Sequence, residues 1–214
     1  MASLLEPKPS PTEAALARAQ QLLERHGVLT REAVNAEGID GGFTSVYGML
    51  KVLEERGQAR RGYFIAGLGA AQFALPGAVD RLRSARGDDP ALAPIVLAAT
   101  DPAQPYGAAL GWPDSPGRPS RIAAAVVVLV DGDAVAWFDR RSYNLLAFDG
   151  AKDTDDWIDA LVATVKDGRS RVLEIRKING ESINDSELSA RLRARGFTDG
   201  YKGLVIRQNS QPKV

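Results

Sequence analysis

The chain has 214 residues, of which 27 are Lys or Arg and 27 are Asp or Glu, so its formal net charge is zero. A chain of this length, 44% hydrophobic, can bury a proper core, and its length suggests one large domain or two small ones. The neutral balance excludes a bulk positive field that attracts nucleic acid or anionic membranes. Any such contact therefore depends on local basic clusters.

The residue types also limit the chemistry. The absence of cysteine excludes disulfides, thiolate metal sites and cysteine nucleophiles. His26 is the only histidine, which argues against histidine-dependent triads and zinc sites. No apolar run approaches the ~20 residues that span a bilayer, and the opening residues lack the pattern of a secretory signal. We therefore expect a cytoplasmic protein without a membrane partner.

The first part of the chain predicts three helices. Apolar spacing indicates a helix over residues 12–24 that Gly27 ends, and a short helix over residues 31–36 with Thr30 as its N-cap. A third helix, closed at Gly57, carries an apolar stripe at three- and four-residue spacing. The stripe consists of Phe43, Val46, Tyr47, Leu50 and Leu53.

Two β-prone runs follow, residues 59–65 and 70–75, on either side of a Gly-Leu-Gly turn. They predict a hairpin. Three helices and then a two-stranded ribbon is the order of a winged helix, in which the third helix can enter a groove while the wing contacts phosphates. A short helix begins at Pro76, and the run GDDP at residues 87–90 indicates a domain boundary.

The rest of the chain predicts a sheet with two helices. A strand at residues 95–99 precedes a long loop rich in proline and glycine, in which Tyr106 and Trp112 are candidates for stacking or for anchoring the loop. Three antiparallel strands follow, joined first by a hairpin turn at Asp131-Gly132 and curling into a half-barrel. A helix over residues 153–167, a strand, a helix over about residues 185–195 and a last strand complete the pattern.

The predicted fold class is therefore α+β. It consists of a winged-helix domain with a linking helix at residues 1–88 and an antiparallel-sheet, β-barrel-like domain with two helices at residues 89–214.

Basic residues beside an aromatic mark a candidate nucleic-acid-binding site on the third helix and the wing. Guanidinium groups next to an aromatic ring suit phosphate pairing and base stacking. The predicted nucleic-acid-binding residues are Ser45, Lys51, Arg56, Arg60, Arg61 and Tyr63. The same residues are also compatible with a solvated wing edge on a domain that only packs against other proteins.

We predict neither catalytic nor metal-binding residues. The chain contains no G-x-x-x-x-G-K-[ST] phosphate loop, so it has no route to ATP hydrolysis by that motif. Carboxylates near the predicted strand ends, namely Asp131, Asp139 and Asp199, are the remaining candidates for chemistry, and roles in turns explain them better.

One long segment carries a family resemblance. The run EERGQARRGYFIAGLGAAQFALPGAVDRLR, followed by VLAATDPAQPYGAALGWP, resembles the C-terminal region of Lhr (large helicase-related) proteins, which are superfamily-two DNA helicases. The resemblance covers nearly the whole chain. It implies a much longer parent protein with an upstream motor that uses ATP and Mg²⁺, whereas this region itself has no cofactor.

The resemblance further implies DNA or RNA–DNA hybrids and the upstream motor domains as partners, in DNA repair. The first hypothesis is a nucleic-acid-binding and assembly module of such a helicase. The alternatives are a DNA glycosylase-like base-excision domain and a purely structural module through which the parent forms a homo-oligomer.

Overall fold

The computed structural model describes residues 9–69, 71–85 and 92–208. The chain divides into two compact units: the first comprises Met1–Asp89 together with Ala108–Leu110, and the second comprises the remainder. The predicted boundary between residues 88 and 89 lies outside the described residues. None of the helices in the described ranges has the length and apolar character needed to cross a membrane.

The three predicted helices of the first unit are confirmed as α1 (Pro11–His26), α2 (Arg31–Ala36) and α3 (Gly42–Glu55). α1 begins earlier than predicted because Ser10 and Glu13 form a capping box. The Ser10 hydroxyl accepts from the Glu13 N–H at 3.2 Å, and the Glu13 carboxylate accepts from the Ser10 N–H at 2.8 Å. Thr30 caps α2 as predicted, accepting from the Ala33 N–H at 3.1 Å.

The predicted hairpin is also confirmed, and it belongs to a three-stranded sheet. Its strands are β1 (Val28–Leu29), β2 (Arg60–Gly62) and β3 (Gln72–Ala74), in the antiparallel order β1-β3-β2. β1 was not predicted, because two residues are too few to show a period. The helix after the hairpin is α4 (Pro76–Ser84), so the unit has the order of a winged helix. We call β2, β3 and the residues between them the wing.

The second unit contains two sheets. Its strands are β4 (Ile95–Ala98), β5 (Ala125–Val130), β6 (Asp133–Asp139), β7 (Asn144–Ala147), β8 (Val172–Ile175), β9 (Lys177–Ile178), β10 (Glu181–Ser182), β11 (Thr198–Asp199) and β12 (Leu204–Arg207). The larger sheet has the order β10-β9-β7-β6-β5-β4 and is antiparallel except between β7 and β9. The smaller sheet has the order β11-β12-β8.

The expectation of a β-barrel is wrong for these strands, although the α+β class is confirmed. The larger sheet is open, with β4 and β10 at its edges. The run predicted as one strand over residues 171–178 breaks at Arg176, so that β8 and β9 pair in different sheets. The strands therefore divide between two sheets instead of closing on one another.

The two predicted helices are α5 (Asp156–Lys166) and α6 (Leu188–Ala194). α5 contacts strands of both sheets, and its Trp157, Ile158 and Leu161 are completely buried. The Trp157 indole N–H donates to the Ala151 carbonyl at 3.1 Å, which satisfies its only polar group. α5 thus forms the centre of this unit's core.

The parts of the proline- and glycine-rich loop that belong to the second unit are fixed by side chains of that unit. Tyr106 and Trp112 stack with ring centroids 6.2 Å apart and pack against buried residues of the sheet. The Arg121 guanidinium donates to the carbonyls of Asp101, Gln104 and Tyr106. Anchoring, rather than stacking on a ligand, is thus the role that these contacts give to the two aromatic residues.

The turn between β6 and β7 is held by Asp139, which is 9% exposed. Its carboxylate accepts from the Ser142 hydroxyl at 2.6 Å and from the N–H groups of Arg141 and Ser142 at 2.9 and 3.3 Å. Burial opposes ionisation of this group, but the three hydrogen bonds outweigh it and hold the pKa of Asp139 below its ordinary value. The charged carboxylate therefore stabilises the turn.

Asp139→Asn is expected to lower the free energy of unfolding by about 1–2 kcal/mol at neutral pH, because a charge-assisted acceptor is lost. Since folding lowers the pKa, this contribution is complete above the unfolded value of about 3.9 and disappears as the pH falls through the lower, folded pKa. Urea unfolding of both proteins across this range measures the difference. Asp185→Asn, at an exposed position, is the control. A loss of unfolding free energy in Asp139→Asn that persists unchanged in acid would contradict the stabilising role of the charged carboxylate.

Candidate nucleic-acid interface

α3 presents a smooth, exposed side. Its buried residues alternate with exposed ones at helical spacing, and we call the exposed set Thr44, Gly48, Lys51 and Glu55 the α3 stripe. The stripe has one cation and one anion. A Cβ placed on Gly48 would meet open space, so the middle of the stripe is bare backbone. A polyanion can approach the helix axis closely here, with Lys51 as the cation of the stripe.

Two predicted residues lie beside the stripe. Ser45 is exposed, and its hydroxyl donates to the Gly42 carbonyl at 2.7 Å, so its proton is used within the first turn of the helix. Arg56 caps the C-terminus of α3 through its backbone N–H, and it too is exposed. Ser45 can therefore only accept a hydrogen bond from a ligand. Arg56 provides a positive charge shortly before the wing begins at Arg60.

The wing separates its two arginines. Arg60 lies opposite Ala74 and Arg61 opposite Phe73, and successive side chains of a strand point to opposite faces. Phe73 packs against α3, so Arg61 projects on that side, where its Nε lies 3.5 Å from the Glu54 carboxylate. Arg60 projects on the other face. The predicted arginine cluster therefore brings Arg61 to α3 and leaves Arg60 on the reverse of the ribbon.

A buried glutamine holds the wing in shape. The Gln72 side-chain oxygen accepts from the N–H groups of Phe64 and Ile65 at 2.8 and 2.9 Å. Its amide nitrogen donates to the carbonyls of Ile65 and Leu68 at 3.0 and 3.1 Å. All four hydrogen-bonding positions of the amide are satisfied while the residue is fully buried. Tyr63, directly before this loop, is 87% exposed.

A pocket of about 220 Å³ adjoins the α3 stripe. It is lined by Arg31, Phe43, Thr44, Tyr47 and Ala71. Sequence reasoning missed Arg31, because only the packing of α2 on α3 brings it beside the third helix. The pocket adds a guanidinium and an aromatic ring to this side of the unit.

A second pocket of the first unit contains none of the predicted interface residues. It measures about 600 Å³ and opens between the end of α1 and α4. At its rim the Glu37 carboxylate contacts Arg25 and lies 3.0 Å from the His26 Nε2. Burial opposes ionisation of Glu37, but these hydrogen bonds hold its pKa below the ordinary value. His26 thus has a structural partner at the end of its helix.

One family of winged-helix domains and two known proteins are similar to this chain. Residues 8–93 match the winged-helix domain of the large helicase-related protein. A Mycolicibacterium smegmatis protein named Lhr helicase/probable uracil glycosylase is 46% identical over 190 residues, which is 86% of this chain. An Escherichia coli K12 protein named Lhr helicase/uracil glycosylase is 31% identical over 210 residues, or 94% of this chain.

The chain is thus similar to Lhr proteins over most of its length. It spans 13% of the length of the first relative and 14% of the second. These matches confirm the resemblance to the C-terminal region of Lhr. The Lhr winged-helix match includes α1 to α4 and all six predicted interface residues, whose role in binding stays a prediction.

Gln72→Leu is expected to lower the free energy of unfolding by about 1–3 kcal/mol, because four buried backbone groups lose their partner. Amide hydrogen exchange over residues 64–68 should accelerate as the wing loop opens. Gln20→Leu, on the exposed side of α1, is the matched control and should leave both quantities unchanged. Protection of the loop that survives in Gln72→Leu would show that its order has another origin.

Proposed function

We propose that this chain is a nucleic-acid-binding and assembly module, and that its winged-helix unit holds the phosphate backbone between the α3 stripe and the wing. The observation that carries the proposal is Tyr63, which is 87% exposed two residues after the exposed Arg61, beside a wing loop that Gln72 holds through four hydrogen bonds. An aromatic ring fixed in solvent beside guanidinium groups is a surface on which a base can stack while its phosphates are paired.

The charges at this site are accessible to a ligand. In the described part of the first unit, neither Lys51 nor Arg60 takes part in an ion pair. Arg61 pairs with Glu54 at 3.5 Å, but both side chains are partly exposed, and such a pair contributes little. A phosphate can therefore displace Glu54 from Arg61 at small cost. The unit is nearly neutral as a whole, so binding depends on these local groups.

We propose that this module acts within a much longer protein, as it spans only 13–14% of its relatives. Relatives of this chain are named as helicases, and we propose that the parent's motor, which uses ATP and Mg²⁺, feeds DNA or an RNA–DNA hybrid past this module. Contacts limited to phosphates and stacked bases suit such a role, because a tracking enzyme meets every sequence.

Lys51→Gln combined with Arg61→Gln, the wing arginine on the α3 side, is expected to weaken binding about tenfold, equally for unrelated sequences, because two phosphate contacts are lost. On duplex DNA the slope of log affinity against log salt, measured between about 50 and 200 mM by fluorescence anisotropy, should fall by about 1.8. The matched control is Arg18→Gln with Arg83→Gln, which removes the same charge from exposed positions on α1 and α4. Equal losses in both double variants would reduce the effect to net charge, and no loss in either would refute the wing contact.

A base-excision activity is the second candidate, since the names of both relatives include a uracil glycosylase. The observation in its favour is a pocket of about 320 Å³ in the second unit. Its lining includes Tyr106, Asp114, Asp133, Phe148 and Asp149. This volume accommodates a flipped base, and a carboxylate can activate the attacking water. It ranks second because exposed carboxylates repel the phosphates that must flank the base.

For this candidate, the chain in excess over a uracil-containing single strand is expected to leave an abasic site that alkali cleaves. Asp133→Asn should abolish the product, since the amide cannot act as a base, while Asp185→Asn should retain it. Denaturing gel electrophoresis measures the cleaved strand. No cleavage by the unmodified chain at excess would remove the activity from this region, and full cleavage by Asp133→Asn would remove it from this pocket.

A further inference from the structure

The turn between β6 and β7 in the second unit presents two arginines to solvent. Arg140 and Arg141 are both exposed, while the backbone of the turn is fixed by the Asp139 carboxylate. Neither arginine takes part in an ion pair within the described residues of this unit. The turn therefore holds two adjacent guanidinium groups on a backbone that is fixed by hydrogen bonds.

A second segment of the chain meets this turn at Tyr143. The Tyr143 carbonyl accepts from the N–H groups of Arg176 and Lys177 at 2.9 and 3.2 Å, at the break between β8 and β9. The Arg176 guanidinium lies 3.7 Å from the centroid of the Tyr143 ring. Lys177 is exposed and pairs in register with Asn144. The break in the strand thus adds two cations to the turn.

The charges in this cluster do not cancel. Glu174 accepts from the Arg176 Nε at 2.8 Å, and this hydrogen bond holds the pKa of Glu174 below its ordinary value, so one cation is matched. Arg140, Arg141 and Lys177 remain, against the single charge of Asp139. The surface is locally basic although the whole chain is neutral.

We propose that this surface, formed by Arg140, Arg141, Tyr143, Arg176 and Lys177 and here called the Tyr143 patch, binds single-stranded nucleic acid as a contact separate from the wing. The two turn arginines pair with phosphates, for which their planar forks are suited. The Arg176 guanidinium lies over the Tyr143 ring and its side chain is 33% exposed, so part of it is accessible to a base. Stacking of a base on a guanidinium plane requires an unpaired strand.

An acidic protein segment is the competing partner, since it would also pair with the arginines. It lacks a flat group to stack on Arg176, which is why the ring–guanidinium pair favours nucleic acid. A poly-glutamate peptide of matched charge therefore serves as the competitor. We expect it to displace a single strand much less well than unlabelled nucleic acid does.

Arg140→Gln with Arg141→Gln tests the phosphate contacts. Binding of a fluorescent oligothymidylate of about 20 nucleotides is expected to weaken about tenfold, and its salt slope to fall by about 1.4. Lys152→Gln with Arg169→Gln removes two exposed cations of the same unit and should leave affinity nearly unchanged. Equal affinities for the turn variant and the unmodified chain, or equal losses in both double variants, would overturn the proposal.

Arg176→Lys tests the stacking. It keeps the charge beside Glu174 but removes the plane, so binding of the single strand should weaken several-fold while duplex binding stays unchanged. Equal losses on both substrates, or effective competition by poly-glutamate, would show a general polyanion surface and overturn the assignment. Thermal melting of each variant establishes that it is folded.

The outcomes separate this surface from the wing. Weakened binding in the turn variant with normal binding in Lys51→Gln/Arg61→Gln would support the Tyr143 patch and reject the wing contact. The reverse pattern would reject the patch and leave the proposed function standing. Independent losses that multiply in the combined variant are the expected result, since the two sites share no residue.

Discussion

The first unit depends on β3, a strand of three residues that are all buried. Phe73 faces α3, with its ring centroid 6.0 Å from that of Tyr47 and 6.5 Å from that of Phe43. Ala74, on the other face, packs in the cluster that includes α4. Gln72 binds the wing loop. Three consecutive residues thus connect α3 and α4 to the wing loop.

Several arginines of this chain form ion pairs that stabilise the fold. In the second unit, for example, Arg191 and Arg195 both bind the Asp155 carboxylate and so connect α6 to the start of α5. Arg193 pairs with Asp199, which joins α6 to β11. Arginines that are used in this way are not available for a polyanion. The arginines that indicate a binding surface are therefore those on a fixed turn that form no ion pair with a carboxylate. Composition alone does not identify them.

Local pattern was sufficient for most elements and insufficient for the site. The helices and the Asp131-Gly132 turn were predictable because apolar spacing and turn chemistry act within a few residues; the positive φ angles of both turn residues agree with the hairpin. The break at Arg176 was not, since an alternating run gives no sign of which strand each half will pair with. Nor was the contact of Arg61 with Glu54, which requires the wing to fold back on α3. The predicted interface residues were identified by type, but their grouping depends on tertiary packing.

The wing and the Tyr143 patch are both stabilised by a side chain that binds the backbone of a turn, but the side chains differ chemically. In each, one side chain from the end of a strand accepts hydrogen bonds from the backbone N–H groups of the adjoining turn. Gln72 does this in complete burial, where a carboxylate would carry a large desolvation cost and where its amide can also donate to two carbonyls. Asp139 keeps 9% of its surface exposed. It accepts three hydrogen bonds and donates none. The use of an amide or an acid thus follows from how deeply the side chain is buried and from whether it must also donate to carbonyls. Gln72 adds no charge to the wing, whereas Asp139 places one negative charge beside the Tyr143 patch.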